Sequence, residues 1–181
     1  MAVRFSKDDW LKAGLAQLAN LGPDGVKLAN LCNAQGRTTG AFYFHFKDHA
    51  AFISDLIAYW EKTHTDDVMA ASGAQADQLN MLVMDLDHRV EIAMRLFGYR
   101  NRTVGTKLAA IDAKRIDFLT SLHAQSGAIE AVSARDLAEL EYAAFVGAQM
   151  IWQNDLPMQG KKLGAAFDSL VETYLKGAPG E

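Results

Sequence analysis

Apolar residues recur along this chain at steps of three and four almost from end to end. That is the repeat of an amphipathic helix, whose turn brings positions i, i+3, i+4 and i+7 to one face. Trp10, Leu11, Leu15, Leu18 and Ala19 form the first stripe, opened by Ser6 and Asp9 at capping-box spacing. Gly22, Pro23, Asp24 and Gly25 stop it, with three breakers in four residues. A short helix is predicted over roughly 27–34, with Leu28, Leu31 and Cys32 inward. Gly36 supplies a turn, and Thr38 is an N-cap for a second short helix reaching about Phe44. Asp48 caps the next, long helix, which carries Phe52, Ile53, Leu56, Ile57 and Trp60.

Farther on, 74–97 reads as one long segment rich in Leu and Met, and 98–105 as a polar break holding Arg100 and Arg102. A helix over 106–126 ends at Gly127, in the position glycine takes after a last turn. Ser133 and Asp136 make a second capping box, opening a helix to about Gln153, with Pro157 beyond it. The last helix is predicted over 159–176, and 177–181 should fray. No alternating stretch is long enough to argue a strand. The expected fold is all-α, with about nine helices.

Composition narrows the class. Half of the 181 residues are apolar, ample for a core. The one cysteine, Cys32, excludes an internal disulfide and fits a reducing compartment. No apolar run approaches membrane-spanning length, and the first residues lack the apolar centre of a secretory signal, so a cytoplasmic protein without a membrane partner is expected. The net charge of −4 is uneven. Residues 1–49 hold six Lys/Arg against four Asp, a net of +2, whereas the rest holds twelve against eighteen, a net of −6. A mildly basic end on an acidic body suits a DNA-reading module.

Two short helices joined by a tight turn are the geometry of a helix-turn-helix, whose second helix presents its N-terminal residues to base edges. Here that end reads Arg37-Thr38-Thr39-Gly40-Ala41-Phe42-Tyr43. Gly40 and Ala41 permit close backbone approach. Thr38 and Thr39 offer hydroxyls and methyls to bases, and Arg37 reaches a guanine edge or a phosphate. Tyr43, His45 and Lys47 are donors suited to phosphates. On spacing alone, an ordinary helical hairpin with Phe42, Phe44 and Phe46 in its core fits equally well.

The residues themselves add a resemblance. Gly40, then Tyr43, Phe44, His45 and Phe46, preceded by Leu31 to Thr39, resemble the helix-turn-helix of TetR-family regulators, over about residues 6–60. The family usually has a small aliphatic residue where Arg37 stands, Ala at Gln35 and Cys32, and Lys at His49. The resemblance implies an N-terminal three-helix bundle over 1–47, which contacts DNA through Lys27, Thr38, Thr39, Gly40, Tyr43 and His45. It also implies a helical ligand-binding and dimerisation domain over 48–181.

Two stripes near the C-terminus bear on that second domain. Leu137, Leu140, Ala144, Gly147, Ala148 and Ile151 share one helix face, and Leu163, Phe167, Leu170 and Tyr174 another. Periodicity allows either a buried core or a subunit interface. The resemblance implies a homodimer, which would suit a near-palindromic double-stranded DNA operator. It also implies a pocket for an unknown small-molecule effector. Trp60, Met84, His88, Phe97, Phe118 and Trp152 are candidate lining residues, bulky or deformable side chains with one polar group.

No nucleotide loop, nucleophile elbow or convergent acid–base set argues for an enzyme. No metal site or cofactor is expected: Lys47-Asp48 breaks the helix between His45 and His49, and the 85–88 cluster reads as a solvated face. The expected function is a ligand-responsive, homodimeric transcriptional repressor. The competing readings are a helical small-molecule carrier or enzyme without DNA binding, and a helical adaptor for proteins.

Overall fold

A computed structural model describes residues 5–125, 134–153 and 155–177, with side chains as far as Thr173. The expected cap at Ser133, the stop at Gly127 and the side chain of Tyr174 lie outside the described residues.

Every described element is helical. In chain order they are α1 (Lys7–Leu21), α2 (Leu28–Ala34), α3 (Thr39–Tyr43), α4 (His49–Glu61), α5 (Asp67–Ser72), α6 (Ala76–Met84), α7 (His88–Arg100), α8 (Arg102–Gln125), α9 (Ala134–Ile151) and α10 (Leu156–Gly177). A 3-10 turn, Gly22–Val26, joins α1 to α2. A π turn, Lys62–Asp66, joins α4 to α5 without a break, and the N–H of Asp67 bonds the carbonyl of Lys62, five residues back. With α4 and α5 counted as one rod, the described residues form nine helices, as the periodicity predicts.

The caps form where the sequence places them. Asp9 N donates to Ser6 Oγ at 3.1 Å while its carboxylate accepts from Ser6 N at 2.8 Å. Asp48 Oδ1 accepts from Ala51 N at 2.7 Å. Two expectations change. The predicted segment 74–97 is two helices, parted at 85–87, where Asp87 caps α7 by accepting from Arg89 N. The predicted break at 98–105 shrinks to Asn101, for Gly98 and Gly105 lie inside α7 and α8. They mark a helix crossing: a Cβ on Gly105 would stand 2.8 Å from the Gly98 carbonyl oxygen. Pro157 sits in the first turn of α10, where its missing N–H leaves no bond unmade.

The helices group into two compact units. The first comprises residues 1–67 and 87–111. The domain boundary expected at 47–48 falls inside it, since α4 packs on α1. Its core runs through Trp10, Leu18, Val26, Leu31, Phe42, Phe52, Leu56, Trp60, Met94 and Val104, all essentially shielded from water. Each large apolar side chain buried this way stabilises the fold by about 1.5–3 kcal/mol against the conformational entropy of ordering the chain. The second unit comprises 68–86 and 112–181. There α9 packs on α10, and Leu79, Ala138 and Leu156 are buried. Tyr142 donates to Asp112 Oδ1 at 2.6 Å and accepts from Arg115 Nη1 at 3.1 Å, so its buried hydroxyl is satisfied. No described helix is long and apolar enough to cross a membrane.

Candidate nucleic-acid interface

The turn between α2 and α3 is built from backbone chemistry. Gly36 has φ +58°, the left-handed region that glycine enters without a Cβ clash. Gly36 N bonds Asn33 O at 3.2 Å and Arg37 N bonds Cys32 O at 2.9 Å, the paired closure of a Schellman motif. Thr38 then starts α3: its Oγ1 accepts from Ala41 N at 3.2 Å. Phe42 locks α3 down. Its ring is fully buried and meets Trp10, Phe46 and Phe52 at centroid distances of 5.5, 4.9 and 5.3 Å.

The opposite face of α3 is open. Arg37, Thr38, Thr39, Gly40, Tyr43 and Lys47 are all exposed. Little packs at Gly40: a Cβ there would meet only Thr38 Oγ1, at 3.8 Å. The interior therefore makes no demand for glycine at this position. The Arg37 guanidinium lies 4.9 Å from the Phe5 ring centroid, which orients it while its donors face solvent. Lys27 caps no helix dipole with its side chain. It pairs with Asp24 at 2.7 Å, an exposed contact of small stabilising value. That hydrogen bond, more than any other influence, holds the Asp24 carboxyl below the usual carboxylate range.

The two histidines near α3 are tied inward. His45 is half-buried with Nε2 3.0 Å from the Phe5 carbonyl oxygen, and His49 Nε2 lies 2.7 Å from the Val26 carbonyl. A carbonyl only accepts, so Nε2 carries the hydrogen in both rings. His49 thus staples the start of α4 to the end of the 3-10 turn. Nothing in the helical period signals that contact, because its partner is a backbone atom 23 residues away. Phe44, one of the three aromatics that a plain hairpin would place in its core, is 66% exposed. It stands four residues after Gly40, on the same face of the helix. Cys32 is buried, and desolvation pushes its thiol up. Alkylation of Cys32 at pH 7.5 should therefore run at least about tenfold slower in the folded protein than in urea. Equal rates by mass spectrometry would contradict that burial.

The residues expected at an effector pocket are dispersed. Trp60 is a core residue of the first unit, Phe97 packs against the same core, and His88 lies at the start of α7. Phe118 and Trp152 are half-buried in the second unit. A pocket of about 340 Å³ does open within the second unit, between α6, α9 and α10. Of the six candidates it takes only Met84, joined by Asn80, Glu141, Phe145, Phe167 and Asp168 among others. Glu141 also pairs with His123 at 2.7 Å. What the periodicity missed was the small residues of α10: Gly160 and Gly164 line the pocket, and such residues leave room rather than fill a stripe.

The two C-terminal stripes divide as well. Leu137 and Ala148 are buried, while Ala144, Leu163 and Phe167 line the pocket. Leu140, Ile151 and Leu170 are exposed at 59%, 70% and 70%, and a Cβ on Gly147 would meet nothing. Among the described residues no three His, Cys, Asp or Glu side chains gather as a metal-binding group.

No protein-family model matches the chain, and no curated protein matches it. Among solved structures it is similar to Salmonella enterica GusR, with a TM-score of 0.61 and 18% identity over 94% of this chain and 93% of that one. At that identity, what the two chains share is the all-helical fold over nearly their whole lengths.

Proposed function

We propose that this chain is a DNA-binding transcriptional regulator of the TetR kind, a cytoplasmic homodimer without catalytic activity or cofactor that acts as a repressor released by a small molecule. The observation that carries the reading is the two-sided α3. One side is fixed by the buried Phe42, and the other offers Arg37, Thr38, Thr39, Gly40 and Tyr43 to solvent. A base-reading helix needs a rigid back and a polar front with small residues at the point of approach.

Tyr43 and Lys47, with Lys27 at the entrance to α2, are assigned to phosphates, and Arg37, Thr38 and Thr39 to bases. His45 acts from behind, holding the segment at Phe5. The exposed Leu140, Ile151 and Leu170 support a subunit interface on α9 and α10, since apolar surface of that extent is costly in water. The pocket beside Met84 and Phe167 is of a size for a small effector.

Selection of genomic fragments on the purified protein should enrich one near-palindromic site. Tyr43→Ala should weaken binding to every duplex about tenfold, and Thr39→Ala should change which bases are preferred at one position. Recovery of no enriched site would overturn the reading. The same pocket also favours a second reading, a carrier that sequesters a small molecule. A chain that bound no duplex at 50 mM salt yet retained a ligand in native mass spectrometry would be that carrier.

A further inference from the structure

The cations of α7 are not treated alike by the fold. Arg89 pairs with Asp87 and Arg95 with Glu91, both at 2.7 Å. Arg100, at the end of the same helix, and Arg102, at the start of α8, are exposed and make no ion pair among the described residues. Beside them Tyr99 is 97% exposed, so its ring packs on almost nothing. We propose that Tyr99, Arg100 and Arg102 form a second phosphate-binding patch, which grips the duplex backbone flanking the segment read by α3. The proposal rests on the DNA-binding reading above.

Position supports it. Within the first unit α7 packs along α1 and against the 3-10 turn that leads into α2. Its last residues thus emerge beside Asp24 and Lys27, and the charge of Arg100 reaches Asp24. In a helix-turn-helix the first helix of the pair crosses the DNA backbone. Cations next to the start of α2 therefore meet phosphates farther along the strand that Lys27 approaches.

The tip is also braced. Asn101 Oδ1 accepts from Val104 N at 3.1 Å, the Asn101 carbonyl accepts from Gly105 N at 2.9 Å, and the Gly98–Gly105 crossing holds the two helices together. The backbone that carries the two guanidiniums and the phenol is thus fixed before any ligand arrives, which lowers the entropy cost of gripping a phosphate chain.

The test is the salt dependence of binding to a 40-base-pair mixed-sequence duplex, read by fluorescence anisotropy. Each phosphate contact contributes about 0.9 to the slope of log affinity against log salt. Arg100→Ala with Arg102→Ala should reduce the slope by about 1.8 per protomer, about 3.6 for the dimer, and the affinity at 100 mM salt by more than about tenfold. The double variant to Lys, which keeps both charges, should retain the slope. Lys162→Ala, loss of an exposed charge in the second unit outside the pocket lining, should leave it unchanged. A wild-type slope in the double Ala variant, with wild-type binding intact, overturns the second patch alone. A wild-type protein with no salt-dependent binding overturns the patch together with the DNA-binding reading.

Discussion

Phe42→Ala should destabilise the protein by about 3–5 kcal/mol, the range for emptying an aromatic site in a packed core. At about 2–4 °C per kcal/mol for a chain of this size, thermal denaturation followed by circular dichroism should fall by roughly 10 °C. The size of the effect follows from the surroundings. Phe42 has no exposed surface, and the rings of Trp10, Phe46 and Phe52 all close on it within 5.5 Å. Those three rings come from α1, the loop after α3, and α4. Their collapse into the vacated space would pull apart the elements that aim α3, so duplex binding should fall further than melting does. A melting point within about 2 °C of wild type would mean that Phe42 is not the pin described here.

Gly25→Ala should be nearly as damaging with far less volume changed. The added Cβ would stand 2.1 Å from the Gln17 carbonyl oxygen. The backbone fixes where a Cβ stands and its partner is a main-chain carbonyl, so no rotamer relieves the clash, and the turn must move. It carries Val26, which is 1% exposed and whose carbonyl accepts from His49. A loss of about 1–3 kcal/mol or more is expected. The informative control is Gly40→Ala, where the new methyl meets only Thr38 Oγ1 at 3.8 Å. That variant should melt within about 0.5 kcal/mol of wild type, yet bind duplex less well if α3 approaches DNA through Gly40. Stability and binding are thus separable at two glycines fifteen residues apart. If both variants melted alike, the close approach at Gly25 would be wrong.

Those two sites also show what the sequence discloses. Helices α1 to α4 are legible because their signals are local. Ser6 and Asp9, Thr38, and Asp48 fix helix starts within three residues, and Gly36 fixes a turn through its own φ. Glycine is ambiguous where its reason is non-local. Gly98 and Gly105 look like loop residues in a one-dimensional reading, but they serve a contact between two helices. The gap at 85–87 contains no Gly or Pro, so a cap at Asp87 parts two helices that share one apolar rhythm. The pocket was least legible. Its lining comes from α6, α9 and α10, whose separation in sequence hides their meeting, and Trp60 and Phe97 lie in the other unit.

The π turn at Lys62–Asp66 has a consequence for how this chain can vary in length. Buried positions along the rod fall at Phe52, Leu56 and Trp60, then at Thr65, Val68 and Ser72. The step from Trp60 to Thr65 is five residues, which in an unbroken α-helix would swing the side chain about 140° out of line. The wider turn absorbs that phase error. Removing one residue there would let the stretch close as a regular α-helix, with the step from Trp60 cut to four residues and the buried threonine within about 40° of the Trp60 face. Lys62, exposed and paired only with Asp67 at the surface, can change identity at small cost. The number of residues in the turn can fall by one and keep the face, whereas one residue more, a step of six, would throw it about 120° out of line in an α-helix.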